Sequence, residues 1–163
     1  MLDHPDRVRG RTVLDLASGS GLVAIAAALA GAASVTPSET DSLAAAAITL
    51  NAGVNRVRLE PTAGDLLDEP GRPGAQRADS ARADRARADV VLAGDAFYDR
   101  AMASLMLPFL ERASQAGALV LVGDPGRAYL PRDRLTQVAA YDVPVERVIE
   151  DADVKHTTVW SLH

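Results

Sequence analysis

The sequence contains no cysteine, which excludes disulfides, thiolate zinc sites and a cysteine nucleophile, and fits a reducing cytoplasm. Aromatic residues make up 4% of a chain that is 48% hydrophobic, so the core has to be aliphatic and alanine-rich, with helices approaching the sheet closely. An excess of basic residues is missing too. Lys and Arg number 17 against 22 Asp and Glu, a net charge of -5, which argues against nucleic-acid or anionic-membrane partners. The three histidines, His4, His156 and His163, show no metal-ligand spacing, so no metal is expected. The longest apolar run, Leu22 to Ala33, is too short to span a bilayer, and the polar start MLDHPDRVRGR has no secretory h-region. A length of 163 residues suits a single domain with a core of its own.

What is present is organised around TVLDLASGSGL, Thr12 to Leu22. It reads as a buried strand, then a turn of small residues from Ala17 to Gly21, then an apolar helix. Such a turn permits positive φ and lets a flat ligand lie against the backbone, while the helix start offers unpaired N–H groups. The turn alone names no ligand.

The pattern then alternates. A helix from about Ser20 to Ala30 carries Leu22, Ile25, Ala26 and Leu29 on one face, and strand two runs Ala33 to Glu39, with Pro37 awkward for a central strand. Thr40 or Asp41 caps a helix bearing Leu43, Ala47 and Leu50; strand three is Arg56 to Thr62, closed by Ala63, Gly64 and Asp65. Pro70 to Ala88, with the near-repeat RADSARADRARAD, reads as a loop or flexible insertion. Strand four is Asp89 to Ala93. A helix follows with Met102, Leu105, Met106, Phe109, Leu110 and Ala113 on one face, where Pro108 should kink it or start a new turn. Strand five is Ala118 to Gly123, and a short helix is expected from about Pro131 to Ala139. Val143 to Ile149 and Thr157 to Leu162 suggest an antiparallel hairpin at the sheet edge.

Repeated β/α units predict an α/β, doubly wound sheet, in which ligands bind at the carboxyl ends of the strands. Four acids fall at successive strand ends, Asp15, Glu39, Asp65 and Asp95, where a phosphate ligand would want donors instead.

On these residues the chain resembles class I S-adenosylmethionine-dependent methyltransferases, whose signature of an acid before a GxG turn stands here as LDLASGSG. The segments LNAGVN, GDAFYD and GDPGRAYLP are similar to the subgroup that methylates lysine in the electron-transfer flavoprotein β subunit, with bacterial relatives labelled nicotinamide N-methyltransferase-like or ribosomal-protein methyltransferase-like. Its D-x-F-Y-[DE] element is matched by Asp95, Phe97, Tyr98 and Asp99.

The resemblance implies a Rossmann-like, mostly parallel seven-stranded sheet ending in an antiparallel hairpin. It also implies S-adenosyl-L-methionine as cofactor, and a nitrogen acceptor on a protein lysine or a small molecule. Asp15, Ala17, Ser18, Gly19 and Gly21 would then hold the methionine end, Glu39 the ribose hydroxyls, and Asp65 with Leu66 the adenine edge. The turn from Gly94 to Asp99 would face the methyl, with Asp95, Tyr98 and Asp99 orienting or attracting the amine. Members of this family generally carry an N-terminal region that closes over the cofactor. Only about eleven residues precede strand one here, so the lid is expected to be missing or to lie upstream.

Two other readings remain open. Gly19 to Ala24 also fits G-x-G-x-x-A, with Glu39 eighteen residues past Gly21, as in a dinucleotide-binding oxidoreductase. A non-catalytic remnant of the methyltransferase fold is the other.

Overall fold

Successive strand residues point to opposite sides of a sheet, and here both sides are apolar, so helices are needed on both. The computed structural model describes residues 1–59, 61–63, 66–67, 88–145 and 154–162. The expected Pro70–Ala88 insertion lies, apart from Ala88, outside these residues. The strands are β1 (Thr12–Leu16), β2 (Ser34–Glu39), β3 (Thr62–Ala63), β4 (Val90–Gly94), β5 (Leu119–Asp124), β6 (Thr136–Pro144) and β7 (Val154–Leu162), in the spatial order β3-β2-β1-β4-β5-β7-β6. Pairing is parallel from β3 to β5 and antiparallel for β5 with β7 and β7 with β6. The sheet is therefore mixed. Six strands of five residues or more form its body, and β3 adds a two-residue pairing at one edge.

The helices are α1 (Leu22–Leu29), α2 (Ser42–Val54) and α3 (Arg100–Gln115). Val13, Val35, Val90, Leu92 and Leu121 face α1 through Ala24 and Ala27. Leu14, Leu16, Val91, Ala93, Val120 and Val122 face α3 through Met106, Phe109, Leu110 and Ala113. At the amino ends of β1 and β4, Asp89 Oδ2 accepts from the Thr12 N–H (2.8 Å) and hydroxyl (2.9 Å), which hold its carboxyl below the usual carboxylate range.

Several expectations are corrected. Leu22, Leu29, Leu43 and Leu50 are all more than half exposed, and the buried faces of α1 and α2 are Ala24, Ile25 and Ala27, and Ile48 and Ala52. In alanine-rich helices the 3.6-residue period fits two faces, and close approach to the sheet selects the small one. The helix expected over Pro131–Ala139 is instead a 3-10 turn at Arg132–Arg134 followed by β6 from Thr136. Leu135, Val138 and Ala139 satisfy a helical spacing, but pairing along β7 decides the outcome, as tertiary context overrides local propensity. Of the expected third strand only Thr62 is found in β3, which continues to Ala63. Helix α3 runs through Pro108 as one helix.

Pro37 does lie within β2, opposite Asp15 of β1. The Ser38 carbonyl accepts from Ser18 N–H (3.1 Å), so the polar groups of Ser38 face β1. Those of Pro37 face the β3 side, where pairing begins only at Ser38, and the missing N–H is not needed there.

Candidate functional site

A cleft of about 1000 Å³ opens at the carboxyl ends of β1, β2, β4 and β5. Its near end is the small-residue turn. Ala17 and Gly19 have φ of 50° and 53°, and Gly21, at φ 84°, caps α1. A Cβ on Gly21 would lie 3.2 Å from Ile48 of α2, so glycine serves both the conformation and the close helix approach. The turn is fastened on two sides, by Ser18 N–H to the Ser38 carbonyl and by Asn51 Nδ2 to the Ser20 carbonyl (2.9 Å). Ala17, Ser18 and Gly19 line the cleft, whereas Gly21 sits behind them.

Glu39 stands beside this turn. Its Oε2 accepts from Gly19 N–H (2.8 Å), and its Oε1 from Thr40 N–H (2.7 Å) and Asp41 N–H (3.0 Å). A carboxylate offers about four acceptor positions, so room remains for a further donor. Asp41 caps α2 through Leu43 N–H (2.7 Å) and Ala44 N–H (3.0 Å) and also borders the cleft.

Asp15, expected beside the ligand, is beneath the turn. The alternation of β1 puts it on the α1 face with Val13; it is 1% exposed and is not a lining residue. Neither side-chain oxygen has a hydrogen-bond partner among the described residues. Burial pushes its carboxyl from 3.8 up to about 7; the nearby Ser18 hydroxyl and Ala24 N–H offset part of this, and the Glu39 charge adds to it. Asp15 thus lies buried under the turn, where its neutral form is favoured more than in an exposed aspartate.

At the far end the lining comes from the turn after β4 and the start of α3. Gly94, Asp95, Tyr98 and Asp99 are brought together there with Met102 and Leu105. Gly94 faces α1, and a Cβ on it would lie 2.8 Å from Val23 Cγ2, so any larger residue there forces Val23 to shift. Asp95 has a left-handed backbone, φ 53°, and both carboxylate oxygens are held by Arg127. Asp99 N-caps α3 by accepting from Met102 N–H (2.9 Å), and Tyr98 is 55% exposed at the rim. Leu66 is buried in the core, and its neighbour Leu67 is the one that lines the cleft. Asp65 lies outside the described residues.

Residues not singled out from sequence stand at the far end: Lys155 at the start of β7 lines the cleft, and Arg127, in the turn after β5, bonds to the lining residue Asp95 and to Asp124, the last residue of β5. The signal for Asp124 was the rule that selected the other strand-end acids. It follows Gly123 directly, in the GDPGR segment.

The lining can therefore hold a ligand with hydrogen-bond donors at one end and an apolar wall of Met102 and Leu105 at the other. Among the described residues no helix is long and apolar enough to cross a membrane.

Comparison with known proteins agrees with this architecture. The chain is 34% identical, over its full length, to the electron transfer flavoprotein beta subunit lysine methyltransferase of Rattus norvegicus. It spans 61% of that relative's length. The fold is shared with a ribosomal protein L11 methylase of Lactobacillus delbrueckii subsp. bulgaricus, at TM-score 0.57 and 17% identity, covering 99% of this chain and 77% of that one. It is also shared with the Pyrococcus abyssi tRNA (uracil-54, C5)-methyltransferase in complex with S-adenosyl-L-homocysteine, at TM-score 0.62 and 15% identity, covering 98% and 36%. Residues 1–94 match the model of the ribosomal protein L11 methyltransferase (PrmA) family, and the chain belongs to that family.

Proposed function

We propose that this chain binds S-adenosyl-L-methionine in the cleft and transfers its methyl group to a nitrogen acceptor, a lysine amine on a protein. The observation that carries the reading is Glu39, an acceptor at the end of β2 bonded across to Gly19 of the small-residue turn. The acceptor set fits the cofactor. A ribose diol and an amino-acid ammonium both need acceptors, and the cleft presents Glu39 and Asp41 at the turn. Sheet order separates this reading from the oxidoreductase. Dinucleotide-binding folds follow 3-2-1-4-5-6 in parallel, whereas an antiparallel β7 is inserted here between β5 and β6. The two-residue β3 then counts as the third strand of a seven-stranded, doubly wound sheet.

Within this reading Ala17, Ser18 and Gly19 receive the methionine end, Glu39 the ribose, and the side of Leu67 the adenine, with Asp15 supporting the turn from below. Bound there, the cofactor would supply an electrophilic methyl carbon for displacement by the acceptor nitrogen, with the sulfur as leaving group. The chain's own work is placement, because distance and angle dominate such a displacement. The apolar side of Met102 and Leu105 favours the neutral, nucleophilic amine over its ammonium form, and the proton leaves to solvent. Tyr98 and Asp99 flank the entry for the acceptor. The relatives' names point to a protein acceptor, and the cysteine-free composition fits a cytoplasmic one.

The test is transfer of radiolabelled methyl from S-adenosylmethionine to purified electron transfer flavoprotein β subunit and to ribosomal protein L11. Label recovered as methyl-lysine in either supports the proposal. No label in either, with cofactor bound, removes the lysine assignment for these acceptors.

A further inference from the structure

Arg127 closes a ring of hydrogen bonds at the far end of the cleft. Its Nε and Nη2 donate to Asp95 Oδ1 (2.6 Å) and Oδ2 (2.7 Å), side-on and bidentate. Its backbone N–H donates to Asp124 Oδ1 (2.7 Å), which also accepts from Gly126 N–H (2.6 Å). Asp124 is buried at the end of β5, next to Gly123, and the Gly123 carbonyl accepts from Asp95 N–H (2.8 Å). Half-exposed ion pairs ordinarily contribute little, since ordering two long side chains offsets the attraction. Here both residues are held through their backbones, and the planar guanidinium matches the carboxylate, so less side-chain freedom is lost per hydrogen bond formed.

Resting on the methyl-transfer reading, we infer that Arg127 is a positioning and charge-masking residue: it fixes Asp95 at the acceptor end while neutralising it. A bare carboxylate beside the acceptor would hold a lysine as its ammonium, which has no lone pair for attack. A carboxylate paired with Arg127 still accepts a hydrogen bond without that penalty. Among the described residues, the other charged or titratable groups near Asp95 include Asp99, engaged in capping α3, the rim phenol of Tyr98, the buried Asp124 and Lys155 on β7. Arg100 stacks over Tyr129 at 6.0 Å, tying the α3 start to the same turn that carries Arg127.

The test uses two cofactor analogues and calorimetric titration of the whole chain. S-adenosylhomocysteine has nothing at the methyl position, whereas sinefungin carries an ammonium there, so the ratio of their affinities reads the charge Asp95 presents. Arg127→Gln unmasks Asp95 and shifts the ratio about tenfold toward sinefungin, with S-adenosylhomocysteine changed less than about twofold. Asp95→Asn removes the carboxylate while keeping its shape, and in that background Arg127→Gln no longer shifts the ratio toward sinefungin. A structural role alone would weaken both analogues together, and that result, or an unchanged ratio in Arg127→Gln, overturns the inference. If neither analogue binds the unaltered chain, the cofactor reading itself fails and the inference falls with it.

Discussion

Replacing Asp15 by Asn removes a titrating group while keeping its shape, and should flatten the pH dependence of stability. In the folded chain burial raises the carboxyl to about 7, against 3.8 as its ordinary value. Between those values the folded state holds a proton that the unfolded chain has released, so stability falls as pH rises through the window. The contribution is complete below the lower value and has been lost once the pH passes the upper one. At about 1.4 kcal/mol per pH unit, the original chain should lose roughly 2–3 kcal/mol relative to the Asn variant between about pH 5 and pH 8. An orphaned buried amide in the variant costs about 1–3 kcal/mol, but equally at every pH, so it leaves the slope alone. Urea denaturation at several pH values reads the difference directly. With a slope of about 2 kcal/mol per molar, the gap between the two midpoints should change by about 1 M across the window. Parallel midpoint curves would show that Asp15 ionises normally under the turn, and would refute the upward shift by burial.

Other substitutions probe the cleft from both ends. Gly94→Ala places a methyl 2.8 Å from Val23 Cγ2 and should destabilise by about 1–3 kcal/mol in chemical denaturation. Adding Val23→Ala should recover part of that loss, and no recovery would remove the steric explanation. Asp99→Ala deletes the α3 cap and should lower stability by about 1 kcal/mol, whereas Asp99→Asn keeps the cap and should cost only a few tenths. Asp99→Asn should leave cofactor affinity intact and depress turnover. Turnover equal to that of the unaltered chain would reduce Asp99 to a capping residue.

Much of the site could be read from the chain because strand ends and turns are local. The order of small residues from Ala17 to Gly21, and the acids at Glu39 and Asp95, depend on a few neighbouring positions, and they reach one cleft once the strands are parallel. What could not be read depends on partners far away in sequence. Which face of α1 and α2 is buried is decided by how near an alanine surface can approach the sheet, so Leu22 and Leu43 satisfy the helical spacing and are nonetheless exposed. Thr136–Pro144 becomes a strand because β7 lies alongside it, against a local pattern that also suits a helix. Asp15 near the end of β1 and Asp95 just after β4 fall where the strand pattern puts them. Strand alternation hides the first under α1, and Arg127, thirty-two residues from Asp95, occupies the second.

Calorimetric titration with S-adenosylmethionine and with NAD, on the unaltered chain and on Glu39→Gln, tests the central claim most directly. Each hydrogen bond to a charged acceptor contributes about 1.5–3 kcal/mol, so neutralising Glu39 should weaken S-adenosylmethionine about ten- to a hundredfold. The account predicts saturable binding of S-adenosylmethionine, none of NAD, and that loss in Glu39→Gln. Binding of NAD instead, or S-adenosylmethionine affinity indifferent to Glu39, would contradict it.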